Sequence, residues 1–182
     1  MGDILLPVGI FKHIWVSLVV VGALFIAVID VGLAPARGEA MPVLSEAGEA
    51  GFEFASLTIE PLVGDTVMLR VELALSQQQQ AQGLMFRKAL DDNAGMLFIF
   101  ERVRVARFWM RNTFIPLDIV FIDPSGEVIA IETRLATQSD AMSIAPAPVW
   151  GVLELKAGRA AELGILQGSR VDIKAFSNAR VL

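Results

Sequence analysis

Few residue types are available for chemistry in this chain. Of its 182 residues none is Cys or Tyr, and the one His is His13, beside a hydrophobic N-terminal run. Whatever folds downstream therefore has no Ser-His-Asp or Cys-His nucleophile system, no thiol redox chemistry and no disulfide framework. Zinc and facial-triad iron sites lose their usual ligands, so no metal and no cofactor is expected. Carboxylates, Arg, Lys, Asn, Ser and Thr remain. Among the acids, Glu72, Asp118 and Glu154 stand in the most distinctive surroundings. Glu154 follows Trp150 by four residues in a stretch of strand character, so strict alternation puts both on one face with Val152 between them. An apolar wall of that kind raises a carboxyl pKa and equips it as a general acid. The plainer reading is a structural bridge from Glu154 to Arg87, because ion-pair networks perturb carboxyls as readily as active sites do.

The segment Phe108 to Asp123, FWMRNTFIPLDIVFID, is the most distinctive of the chain. Asn112 and Thr113 carry turn chemistry, and Pro116 fixes the backbone before Asp118 opens a strand. A well-made loop explains these residues, with Asn112 and Asp118 capping backbone amides. A pocket rim explains them too: an aromatic platform, Trp109, beside amide, hydroxyl and carboxylate groups suits a polar small ligand or sugar. Arg102, Arg104, Arg107 and Arg111 fall close together. They read as a charged strand edge, with the grip of an anionic partner by guanidinium forks as the sharper alternative. Met85, Met96 and Met110 lie next to Phe or Leu and read as core filler.

These groups need a scaffold, and the pattern specifies a β-rich one. In Thr66–Leu75, Val67, Leu69, Val71, Leu73 and Leu75 share a face while Arg70 and Glu72 share the other. Ser76 reads as the N-cap of a short helix ending near Gly83. Met96–Phe100 and Ile119–Ile122 are continuous apolar runs, consistent with strands covered on both sides. Asp123-Pro124-Ser125-Gly126 is type I turn chemistry and predicts a hairpin from Ile119–Ile122 to Val128–Thr133. Val149–Leu155 and Arg170–Phe176 are further strands, and Arg159–Leu163 a helical turn or two stopped by Gly164. Short strands with turn signals and two short helices predict a mainly β domain, a compact sandwich or barrel, preceded by an N-terminal hydrophobic helix.

Residues 14–29, IWVSLVVVGALFIAVI, carry no charge. Lys12 precedes them, and small residues at Ala34, Ala36, Gly38 and Ala40 follow, as at the end of a secretory signal peptide. An uncleaved anchor is the rival, in which case membrane contact is confined to residues 14–34. Either predicts an exported domain, periplasmic or extracytoplasmic, secreted or tethered. The expected layout is a signal peptide or anchor over 1–36, a flexible linker over 37–53 and the β-rich domain over 54–182. Of the 15 basic and 20 acidic groups, Asp3, Lys12 and Asp30 precede residue 37, which leaves 14 and 18, a net charge of −4. That balance disfavours nucleic acid as a partner.

Four segments carry a resemblance: GLMFR at Gly83–Arg87, GMLFIFE at Gly95–Glu101, WMRNTFIPLDIVFID from Trp109, and LELKAG at Leu153–Gly158. In this order and spacing the chain resembles the domain of unknown function 192 family, over roughly Ser56 to Phe176. Arg111 stands where that family more often has Lys. The resemblance implies one β-rich domain and no established activity. The motif positions it singles out are Glu72, Gly83, Arg87, Trp109, Asn112, Thr113, Pro116, Asp118, Glu154 and Gly158. The expectation taken to the structure is a non-catalytic envelope module that binds a small molecule or glycan through Glu72, Arg87, Trp109, Asn112, Thr113, Asp118, Trp150 and Glu154. Its alternatives are a carboxylate-dependent hydrolase of an envelope glycan, needing two facing carboxyls, and a membrane-tethered assembly factor that meets an envelope protein through an exposed apolar patch.

Overall fold

The computed structural model describes residues 45–47 and 51–179, all within the compact unit Gly38–Leu182. The expected N-terminal signal or anchor lies outside the described residues. Among the described residues, no helix is long and apolar enough to cross a membrane.

The chain builds one curled, mixed sheet, a half-barrel with two short helices. Its strands are β1 (Ser45–Ala47), β2 (Glu53–Glu60), β3 (Val67–Ala74), β4 (Ala94–Arg104), β6 (Leu117–Ile122), β7 (Val128–Arg134), β9 (Val149–Lys156) and β10 (Arg170–Val171). The order across it is β1-β2-β3-β4-β9-β6-β7, with β10 on β2. A small second ribbon pairs β5 (Arg107–Phe108) with β8 (Ser143–Ile144). The only parallel pair among these is β3–β4; a parallel return needs a crossover, and residues 75–93 supply it, opening with α1 (Gln77–Gln82). Around Arg170 the chain bonds on two sides: β10 pairs β2, while Val128 N donates to Ser169 O and Val171 N to Gly126 O. One short segment thus draws both ends of the sheet inward. The barrel-like branch of the expectation is the nearer one; among the described residues no second large sheet stacks on the first.

Each face of the sheet is covered by a core of its own. On the first face Leu57, Ile59, Leu69, Val71, Leu73, Val120, Leu153 and Leu155 pack with Ala160 and Ile165 of the α2 region (α2, Arg159–Glu162). On the second, Met96, Phe98, Phe100, Leu117, Ile119, Phe121 and Val152 pack under Leu84, Met110 and Phe52. Strands β4, β6 and β9 are buried on both faces, which is why they read as unbroken apolar runs.

Several local expectations match and others need correcting. Ser76 Oγ accepts from Gln79 N while the Gln79 side chain accepts from Ser76 N, a full capping box. The Asp123–Gly126 turn is held by Asp123 Oδ1, which accepts from Ser125 N and Glu127 N. The stretch read as a flexible linker contributes β1, and Phe52 is fully buried in the second core. The last strand is two residues long; Lys174–Phe176 is a 3-10 turn that drops Phe176 into the first core, 6.4 Å from Trp150.

Candidate functional site

The second core is incomplete at one end. Where α1, β4 and β5 diverge there is a cavity of about 480 Å³. Its apolar walls are Phe98, Phe100, Phe108, Leu84 and Met85; Gln77, Gln80, Arg104, Arg107 and Trp109 edge it, and Thr113 and Glu154 also line it. Local chemistry sets each wall. Met96, Phe98 and Phe100 recur with period two on β4 and so share a face. The Phe98 ring meets Phe108 edge-on at 4.9 Å. At Gly83, φ is +49°, and a Cβ would stand 3.2 Å from the Phe98 ring, so turn and wall both require glycine there.

The far rim is a reversal built on Asn112. Its φ of +54° is one that Asn tolerates better than most side chains. Thr113 N donates to Met110 O, closing the turn, and Phe86 N donates to Asn112 O at 2.8 Å. The turn is thereby tied to the loop that carries Met85. Trp109, 41% exposed, lies under the Arg111 guanidinium at 4.3 Å, and Arg111 is paired in turn with Asp140 at 2.8 Å. Gln80 Nε2 is fixed by three carbonyls, Ala74, Leu75 and Ile99, and its Oε1 accepts from Arg104 at 3.3 Å. Arg104 also stacks on Phe100 at 4.1 Å.

Glu154 is the anomaly of the site. It stands between Met96 and Ile119 in the sheet register, both second-core residues, so its side chain belongs to the cavity face. It is 4% exposed, and its carboxyl forms no hydrogen bond or ion pair among the described residues. Burial alone pushes its carboxyl up to about 8, so the group is mostly a neutral acid at pH 7. A buried polar group without a partner is rare enough to call for an explanation.

The remaining residues singled out by the sequence fall elsewhere. Glu72, on the same row, is buried but accepts from Arg87 Nη2 at 2.6 Å. The Arg87 bridge thus forms with Glu72, fifteen residues away, and not with Glu154. Asp118 faces the opposite core: Oδ1 accepts from Thr133 Oγ1 at 2.7 Å and Oδ2 from Ala160 N at 2.9 Å. It caps α2 from a distant strand, because the N-cap residue Gly158 has no side chain to do so. Trp150 packs in the first core near Phe176 and does not line the cavity. Its expected shared face with Glu154 is not formed, since the alternation of β9 slips at Gly151. There the ladder to β4 shifts register, and a Cβ would stand 2.6 Å from Phe98 O.

Trp109, Thr113 and Glu154 are thus brought together on the cavity; Asn112 builds its rim, and Glu72 with Arg87 stands two strands from Glu154. Sequence reasoning left out Phe98, Phe100, Phe108 and Gln80, and named Arg104 and Arg107 only as part of a charged edge or an anion grip. The period of two along β4 is the available signal for Phe98 and Phe100. Gln80 gave none, its role depending on carbonyls of β3 and β4.

Comparison with known proteins gives a family and a fold. The family model for DUF192, described as "Uncharacterized ACR", matches residues 61–173. A crystal structure of a proposed transcription regulator from Sinorhizobium meliloti 1021 is similar at 37% identity and a TM-score of 0.65, over 69% of this chain and 97% of that one. A protein of unknown function from Novosphingobium aromaticivorans DSM 12444 is similar at 36% identity and a TM-score of 0.67, over 74% and 94% respectively. No curated protein matches the chain. With the family match spanning more than half of the sequence, this chain belongs to the domain of unknown function 192 family.

Proposed function

We propose that this domain is a non-catalytic small-ligand-binding module of the cell envelope, and that the cavity beside Glu154 is its site. One observation carries the reading: a carboxyl that is buried and unpartnered, and that lines a cavity of about 480 Å³. A buried acid destabilises the folded chain unless something compensates it. The walls supply what a small amphipathic ligand uses, phenylalanine rings together with polar side chains from Gln77, Gln80, Thr113 and Glu154, and Trp109 and two arginines stand at the edge. Export rests on the uncharged run at residues 14–29 and the small residues after it.

Hydrolysis by a carboxylate pair has less support, because Glu154 is the only acid among the residues lining the cavity. The regulator description of the Sinorhizobium protein is not carried over either. A net charge of −4 beyond residue 36 opposes the phosphate contacts that supply most affinity for DNA.

The test is a thermal-shift screen of the purified protein against glycans, organic anions and amines, repeated on Trp109→Ala. Trp109 is 41% exposed and carries the Arg111 stack, so each ligand shift is read against the protein's own ligand-free midpoint. The reading predicts a ligand that stabilises the wild type and has lost its effect in the variant. A ligand that stabilises both equally places binding elsewhere and overturns the reading.

A further inference from the structure

The row of side chains that crosses the sheet at Met96 holds two acids. Met96 on β4 is in register with Glu72 on β3 and with Glu154 on β9. Both acids are buried, and they differ in one respect. Glu72 has a cation of its own, the Arg87 guanidinium, whereas no donor or cation reaches Glu154 among the described residues. The cavity that Glu154 lines has Phe98, Phe100 and Phe108 among its walls. Ring faces attract organic cations. A buried acid that accepts from no donor among the described residues, in a cavity with ring walls, suits a positive group better than an anion.

Anion recognition is provided separately. Arg104 and Arg107 stand on the same cavity, and the Arg107 side chain forms no ion pair or hydrogen bond among the described residues. Arg104 is in register with Val149, five residues along β9 from Glu154, a rise of about 17 Å in an extended strand. The acidity of Glu154 is set by burial, with no contribution from either arginine. The acid and the arginines are therefore two stations at different places on the cavity lining.

We propose that the cavity takes a bipolar organic molecule, its amine or guanidine end against Glu154 and its anionic group at Arg104 and Arg107. The inference rests on the cavity being a ligand site, and it names the class of ligand. The ligand's cation does for Glu154 what Arg87 does for Glu72. A chain of several methylenes between the two charges packs against the phenylalanine walls. Since free Glu154 holds its proton at neutral pH, arrival of an ammonium group releases that proton to solvent and leaves a carboxylate–ammonium pair.

Titration calorimetry of the full chain near pH 7 with 6-aminohexanoate, hexanoate and hexylamine tests this, in two buffers of different ionisation heat. The proposal predicts that 6-aminohexanoate binds at least about tenfold tighter than either single-charge probe, a pair contribution of ordinary size, and that close to one proton is released. In Glu154→Gln, which keeps shape and removes the charge, the preference for 6-aminohexanoate over hexanoate disappears. Equal binding of hexanoate and 6-aminohexanoate, binding without proton release, or binding of none of the three overturns the proposal. The reading of the cavity as a ligand site fails separately, when stabilising ligands act equally on wild type and Trp109→Ala.

Discussion

Asp118 and Glu154 are close to a controlled pair. They occupy neighbouring strands, with Asp118 in register with Leu155 and Ile119 with Glu154, so their backbones are one residue apart along the same ladder. Both are buried, at 1% and 4% exposure, and they point to opposite faces of one sheet. On the first face the covering layer donates, through the Ala160 amide and the Thr133 hydroxyl. On the second Glu154 lines a cavity, and none of the polar side chains on that cavity bonds its carboxyl. The same residue class at nearly the same place becomes a structural acceptor on one side and an unpartnered acid on the other. The difference comes from what covers the sheet, not from the strand.

Mutations can break or sharpen this contrast. The largest effect is expected at Asp118→Ala, which removes two hydrogen bonds and leaves a buried amide of α2 without an acceptor. Urea denaturation should show a loss of about 3 kcal/mol. A loss below about 1 kcal/mol, the worth of a single ordinary hydrogen bond, would mean that Asp118 is no more integral than Glu154. Next comes Arg87→Met, which gives Glu72 the condition of Glu154: buried and unpaired. Because Arg87 is 28% exposed at its side chain, the loss should be at the low end for a broken buried pair, about 2 kcal/mol. Adding Glu72→Gln should recover much of it, and a double-mutant cycle measures that coupling. Strict additivity would show the bridge to be incidental.

The contrast also explains what could be read in advance. The helix cap at Ser76 and the turn at Asp123–Gly126 rest on contacts within four residues, and local chemistry specifies both. The two-sided burial of β4, β6 and β9 was visible as apolar runs. β2 was passed over, although Ala55, Leu57 and Ile59 alternate inward in the plain period of a half-buried strand. The carboxylates themselves were legible, and their roles were not. Asp118 meets Ala160 across 42 residues, and Arg87 chooses Glu72 over Glu154 by the path of the crossover. Trp150 parts from Glu154 because one register slip at Gly151 reverses the faces of everything before it. Partner choice in a sheet is decided by non-local register, which spacing along one strand does not carry.

The central claim is that Glu154 is held in the folded protein as an unpartnered acid, and the pH dependence of stability in wild type and Glu154→Gln tests it most directly. Unfolded, the group titrates at its ordinary value of 4.5; folded, at about 8. Between these values the folded chain keeps a proton that the unfolded chain releases, so stability falls as pH rises through that window, and it is the low-pH side that is free of the penalty. Gln cannot ionise and escapes the effect. The variant should match the wild type below pH 4.5 and exceed it by about 3 kcal/mol at pH 7. A difference that stays constant from pH 4.5 to 8, or a variant less stable than wild type at neutral pH, would mean that Glu154 is a satisfied structural carboxylate like Asp118, and would contradict the account.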